Sequence, residues 1–423
     1  MSDRTAGSGR KTTRGLTTLP PSPKPQKYPE DETVAVGAKN RRRKIKESIF
    51  SLGVGIDIPL LILVLVLLSI GLVMLFSASY AYSYHYYGNS YMFILQQGKF
   101  AAAGVIVMLG VSLFNYHNFH KMAWPLFILT FVLLAMVLIF KGTSIAPVKG
   151  GANRWINIGV EFQPSEFAKF TLVVMLAHIL SRAGNAAGTF KYGVAPCFAC
   201  VGIIGGLIVA EKHISATIIV AMISCVVMFV GGIKPRWFVA LGSLAAVALI
   251  YLIFFSNKFA YALQRIQGWI DPFNPPAGVD TYQTKQSLYA IGSGGLLGVG
   301  LGQSRQKYLY LPEPQNDFIF AIVCEELGFI GALVIIILFA MLIWRGVYVS
   351  LHAKDKFGTL LGLGITFTVG LQAVLNICVV TNALPNTGIS LPFFSYGGTS
   401  LLVLLGEMGV LLAISRGAYL EKT

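Results

Sequence analysis

Charge is scarce in this chain. Asp, Glu, Lys and Arg make up only 12% of the 423 residues, against 55% hydrophobic, and mean hydropathy is +0.68. That composition excludes an ordinary soluble fold. Several runs reach the roughly 20 apolar residues that span a bilayer, so the chain reads as a polytopic membrane protein. Acids are scarcer than bases, 18 against 33, which leaves a net charge of +15. The excess does not mark a nucleic-acid binder. Of the 33 Lys and Arg, 12 fall in residues 1–47, and most others flank apolar runs, the pattern of positive-inside topology. Cysteine is nearly absent. Cys197, Cys200, Cys225, Cys324 and Cys378 all lie in apolar runs, and the Cys197/Cys200 pair has no His partners, so packing is favoured over zinc or redox chemistry. No strand precedes the glycine-rich stretch GSGGLLGVGLG (residues 292–302) and no βαβ unit follows, which removes a Rossmann or Walker nucleotide site. No cleavable signal peptide is visible. The first apolar run starts near residue 58 and reads as a signal anchor.

The expected architecture is an all-α polytopic membrane protein. Ten spans are predicted, at roughly 58–79, 97–115, 122–140, 164–182, 192–210, 213–231, 236–255, 318–344, 358–383 and 394–416. Residues 1–47, rich in Pro, Gly, Ser, Thr and Lys, form a disordered basic cytoplasmic tail. Residues 48–416 form the membrane domain and 417–423 a short cytoplasmic tail. An even span count places both termini in the cytoplasm, and the bases of the short inner turns agree. The outer side then holds two long segments, 141–163 and 256–317, the second a large loop between spans seven and eight. A third, 384–393, is short and dense in Pro, Gly, Asn and Ser. Chemistry or recognition is expected on that side.

In the first outer segment, Trp155, Ile156, Ile158 and Val160 form an amphipathic patch suited to the headgroup layer. Pro164 suits the first turn of the next helix. Glu166 and Lys169 are three apart, on one helical face, and a Lys one turn inside a span favours a pair facing a polar cavity over a surface ion pair. The turn 211–217, EKHISAT, is either an interfacial hairpin or part of an outer pocket. The glycines of 292–302 permit close backbone approach and suit a segment that offers N–H groups to an anion. Gln372 and Asn376, at i and i+4, make a polar face inside span nine. Residues 381–400 read as a broken re-entrant stretch.

The most informative stretch is QSRQKYLYLPEPQNDFIFAIVCEELG (303–328). Pro312 and Pro314 block an early helix start. Asp317 then meets the edge of an apolar run. Two readings stay level on spacing alone: an N-cap or a functional acid. Glu325 would lie about 80° around the helix and roughly 12 Å deeper, with Glu326 opposite. At most one of these glutamates can share a cavity with Asp317.

These motifs are GANRWINIGVEFQPSEFAKF, YQTKQSLYAIGSGGLLGVGLGQSRQKYLYLPEPQNDFIFAIVCEELG and LPNTGISLPFFSYGGTS. In that order they resemble the SEDS family (shape, elongation, division and sporulation), in its FtsW/SpoVE branch, over about residues 55 to 416. The resemblance implies a ten-span peptidoglycan glycosyltransferase polymerising lipid II on the outer face of the bacterial cytoplasmic membrane, in septal wall synthesis. The acid of the family's DFIFA motif matches Asp317 and is implied as catalytic, as general base. Arg154, Lys169, Arg305 and Lys307 are the candidates for the pyrophosphate, with Glu166, Gln372, Asn376 and Ser395 as further substrate-binding candidates. A divalent cation, Mg²⁺ or Mn²⁺, is an expected helper, with no organic cofactor. A class B penicillin-binding protein transpeptidase and other divisome proteins are the implied partners, with spans eight and nine as docking faces. Two departures stand out: His213 where many relatives carry an acid, and Thr399 where serine is common. Other classes stay open, namely a lipid II flippase or a non-catalytic scaffold. The crowding of polar groups on one face speaks against the flippase.

Overall fold

Helix boundaries follow the punctuation of the sequence. The computed structural model describes residues 55–148, 153–157, 159, 161–240, 242–243 and 266–418. Asp57 starts α1 (Ile58–Tyr87): its carboxylate accepts from Leu60 N–H at 2.9 Å, and Gly88, at φ 68°, ends the helix in the left-handed region. Then come α2 (Met92–Leu113) and α3 (His117–Ile139). A two-residue hairpin follows, β1 (Ile156–Asn157) with β2 (Glu161–Phe162). Pro164 opens α4 (Pro164–Ala183), and α5 (Ala195–Ala210) and α6 (Ile214–Val230) complete the first half. The second half has α7 (Tyr282–Gly294), α8 (Ile319–Leu351), α9 (Lys356–Val380) and α10 (Gly398–Gly417).

Among the described residues eight helices are long and apolar enough to cross a membrane, and α6 is a shorter apolar helix. These match nine of the ten expected spans. The seventh, 236–255, lies mostly outside the described residues, and the tail 1–47 wholly so. The protein is an all-α polytopic membrane protein. Its inner helices are α4, α9 and α10, mostly buried, while the others turn much of their surface outward. Apolar side chains gain little by leaving lipid for protein, so the helices meet through small residues. A Cβ on Gly409 of α10 would stand 2.6 Å from the Met108 carbonyl of α2. Between α8 and α9, one on Gly362 would stand 2.4 Å from Ser350 Oγ.

Helix α8 is broken at Gly328, which has φ 67° and ψ −170°. The chain after α7 runs through that break. Val299 N–H and Gly300 N–H donate to the carbonyls of Glu325 and Glu326 at 3.0 Å, and Phe329 N–H donates to Gly295 at 2.9 Å. There is no room for side chains. A Cβ on Gly294 would sit 2.0 Å from Cys324 O, one on Gly298 2.2 Å from Glu326 O, and one on Gly328 2.2 Å from Gly298 N. The glycines therefore serve backbone-to-backbone packing against a helix break. The N–H groups of Val299 and Gly300, expected to face an anion, are used inside the protein. The patch expected in the headgroup layer is also corrected in part: Ile156 is fully buried, and Ile158 and Val160 lie outside the described residues.

Candidate active site

Asp317 stands one residue before the cap of α8. That cap is Phe318, without a side-chain hydrogen bond, so Asp317 does not occupy the N-cap position. The backbone of Asp317 is held from below. Asn376 of α9 is fully buried and its amide donates to Asp317 O at 2.7 Å and to Ile389 O at 2.6 Å. One side chain thus ties the loop ahead of α8 to the segment 385–397. The Asp317 carboxylate faces Gly388, where a Cβ would stand 3.0 Å from Oδ2; Gly388 also has φ 67°. The positive φ favours glycine there, and any added Cβ would press on the Asp317 carboxylate.

The segment 385–397 is pinned along its length. Ser395 Oγ donates to Asn316 O at 2.7 Å and accepts from Leu391 N–H at 2.8 Å. Tyr396 N–H donates to Gln315 O at 2.9 Å. Gln97 of α2 takes the other side, donating to Ser395 O and accepting from Gly397 N–H. Ser215 Oγ donates to Thr387 O, and Thr399 Oγ1 to Glu161 O at 2.9 Å. Thr399 thus uses the hydroxyl that serine would supply.

Beside this segment lies a cavity between α4, α9 and α10. Its charged and polar lining includes Glu166, Lys169, Gln372, Ser390, Ser395, Ser400 and Glu407. Lys169 is buried and its ammonium lies 2.9 Å from the Glu166 carboxylate, the pair expected from the sequence. Four of the expected residues therefore meet here: Glu166, Lys169, Gln372 and Ser395. Glu407 was missed. It is a buried acid inside a span, which by itself flags function.

Arg154 lies at the edge of this region, its guanidinium donating to Lys212 O at 2.8 Å. The neighbouring turn buries Glu211, His213 and Ser215 while Lys212 and Ile214 stay exposed. His213 is buried and Nδ1 lies 3.2 Å from Ser165 Oγ. Burial first, then the charges of Arg154 and Lys169, push its pKa down to about 3, so the imidazole is neutral.

Two basic residues are placed elsewhere. Lys307 is buried, and its ammonium is used up by Glu326 Oε1 at 3.0 Å, Ser77 Oγ at 3.1 Å and Gly302 O at 2.6 Å. It holds the loop to α1 and α8 and does not line this cavity. Arg305 has an exposed side chain, and its N–H donates to Glu325 Oε1 at 2.9 Å. Glu325 also accepts from Ser304 Oγ at 2.5 Å, and Glu326 from Ser304 N–H at 3.2 Å. Both glutamates serve as anchors for the loop, and neither lines the cavity.

The profile of the family described as "Cell cycle protein", FtsW/RodA/SpoVE, matches residues 58–420. The chain belongs to this family. It is 39% identical over 331 residues to stage V sporulation protein E of Bacillus subtilis (strain 168), covering 78% of this chain and 88% of that one. It is 38% identical over 337 residues to the probable peptidoglycan glycosyltransferase FtsW of Geobacter sp. (strain M18), covering 78% and 90%. A chain from the structure titled "Structural coordination of polymerization and crosslinking by a peptidoglycan synthase complex" superposes with a TM-score of 0.71 at 25% identity, over 87% of this chain and all of that one. The rod shape determining protein RodA of Thermus thermophilus, at 24% identity and TM-score 0.63 over 87% of this chain and 99% of that one, shares the fold.

Proposed function

We propose that this family member is a peptidoglycan glycosyltransferase that polymerises lipid II on the outer membrane face, in septal wall synthesis, with Asp317 as general base. In the reaction a sugar hydroxyl attacks an anomeric carbon, a C–O bond forms, the bond to the polyprenyl pyrophosphate breaks, and the hydroxyl proton must go to a base. The observation carrying the reading is Asp317 itself. Its backbone is fixed by buried Asn376, its carboxylate abuts a segment kept open by Gly388, and the next residues of that segment line a cavity with Lys169 and Glu166. A general base needs fixed geometry first. Lys169 and Arg154 are the cations positioned for the departing pyrophosphate; Gln372 and Ser395 line the route.

The described residues contain no cluster of three His, Cys, Asp or Glu; a Mg²⁺ held by one carboxylate, such as Asp317, and the substrate's phosphates needs none. Mg²⁺ or Mn²⁺ would arrive with the substrate's phosphates, and no step here uses it. For a class B penicillin-binding protein, α8 offers the membrane-facing surface, with Phe329, Ile330, Val334, Ile337 and Trp344 exposed. The inner helix α9 is largely buried and offers little. Other divisome proteins belong to the same proposal.

Asp317→Asn, purified with its transpeptidase partner, should lose about 10²- to 10⁴-fold of lipid II polymerisation with unchanged thermal stability. Polymer formation at the native rate would overturn the assignment. One observation favours a second reading, transport of lipid II: Glu407 lies nine residues into α10, about 13 Å below its start, so polar groups extend toward mid-bilayer. Lipid II crossing proteoliposomes equally with native and Asp317→Asn protein would decide for transport.

A further inference from the structure

Helix α1 is longer than a membrane needs. Its 30 residues rise about 45 Å, against about 30 Å of hydrocarbon. Its last two turns, AYSYHYY (81–87), carry no carboxylate and no Lys or Arg. Tyr84, Tyr86 and Tyr87 are exposed there. This end of α1 is not an isolated belt of tyrosines. Tyr86 packs on Tyr82 with ring centroids 4.5 Å apart, and both Tyr82 and Tyr87 pack on Phe93, at 6.0 and 5.8 Å. Phe93, itself buried, meets Tyr396 edge-on at 4.7 Å. Tyr396 OH donates to Gln96 at 2.8 Å, and its neighbours Ser395 and Gly397 line the cavity. Tyr396 N–H also donates to the carbonyl of Gln315, two residues before Asp317, at 2.9 Å. The aromatic row thus starts at the cavity wall and the Asp317 loop and runs outward to exposed rings.

We propose that Tyr86 and Tyr87, backed by Tyr82, Phe93 and Tyr396, form a saccharide-binding platform that carries the glycan strand beyond the reaction site. The proposal rests on the polymerase reading for its ligand. The chemistry of the surface selects that ligand. Sugar rings have apolar C–H faces and hydroxyl edges, and a tyrosine offers an apolar face with a polar handle. The platform's lack of charge suits a glycan better than a protein partner chosen by ion pairs. Its continuity with the cavity gives it a place in the path: a polymer lengthening at Asp317 must pass some surface on leaving.

The test uses full-length protein in nanodiscs, with Asp317→Asn in every sample so that no turnover occurs. The probe is a short soluble glycan of alternating N-acetylglucosamine and N-acetylmuramic acid. Binding should fall about tenfold in Tyr86→Ala/Tyr87→Ala and be largely kept in Tyr86→Phe/Tyr87→Phe, which preserves the stacking faces. Equal binding by the alanine variant overturns the platform. So does loss of transpeptidase association, or of thermal stability, with glycan binding unchanged; these would mark a partner surface or a headgroup belt. Because binding is read without turnover, a polymerase assignment that failed at Asp317 would leave this result standing, and the reverse also holds.

Discussion

Two lysines in this protein look alike on paper. Lys169 and Lys307 are each buried and each sits within 3.0 Å of a glutamate. Their surroundings differ. Glu326, the partner of Lys307, has a side chain with no exposure and takes further hydrogen bonds from Ser77 and Ser304; Glu166, the partner of Lys169, is 17% exposed. Lys307 meets three protein acceptors, which is all an ammonium can serve. Lys169 and Glu166 line a cavity. Burial and pairing therefore do not distinguish the surroundings of the two lysines. The count of acceptors and the presence of open volume do.

The contrast breaks most visibly at Lys307. Lys307→Ala should leave Glu326 charged and underpaired in a closed site and cost about 3–5 kcal/mol of stability, read as a large fall in thermal unfolding temperature. Replacing both partners together, as Lys307→Met with Glu326→Leu, should recover much of it, since a matched apolar pair avoids the stranded charge. An alanine variant that melts like the native protein but fails to polymerise would move Lys307 into the site. Lys169→Ala should behave in the opposite way. Glu166 borders open volume and can be solvated, so stability changes little, while polymerisation falls by about 10²-fold, the scale of losing one preorganised charge at a reacting group. A loss of stability with the rate per folded molecule intact would make Lys169 structural too.

The same contrast explains what the sequence revealed. Apolar runs and prolines located nine helices and the start of α4, because span length and Pro geometry are local properties. The Glu166–Lys169 pair was legible from i, i+3 spacing. Asp317 could be separated from an N-cap only by the backbone of Phe318, and Lys307 from Lys169 only by partners far away in sequence, such as Ser77 of α1. Helix phase allowed at most one of Glu325 and Glu326 beside Asp317; that both instead anchor the loop depends on Ser304 and on the chain inserted at the Gly328 break, contacts made across the fold. Glu407 carried a readable signal, a lone acid in a span, yet its part in the cavity depends on the packing of α4 against α10.

A third carboxylate sharpens the comparison further. Glu211, in the turn after α5, is buried, and neither oxygen has a hydrogen-bond partner. Where Glu326 is met by donors, Glu211 is not. Burial pushes its pKa up to about 8, against the opposing pull of the Arg154 guanidinium. The group is therefore protonated in the folded state at neutral pH. In the unfolded chain it ionises near the ordinary glutamate value, about 4.5. Below that pH both states hold the proton and it contributes no pH dependence. Between about 4.5 and 8 only the folded state keeps it, so stability falls as pH rises, by at most about 1.4 kcal/mol per pH unit. Above about 8 the folded state ionises as well and the loss levels off. Glu211→Gln, which mimics the protonated acid in shape, should flatten this part of the profile and unfold at a higher temperature than the native protein at pH 7.5, with the two converging near pH 4. Parallel unfolding curves for the two proteins from pH 5 to 8 would show that Glu211 is ionised in the fold, and that the Arg154 guanidinium stabilises it more strongly than burial opposes it.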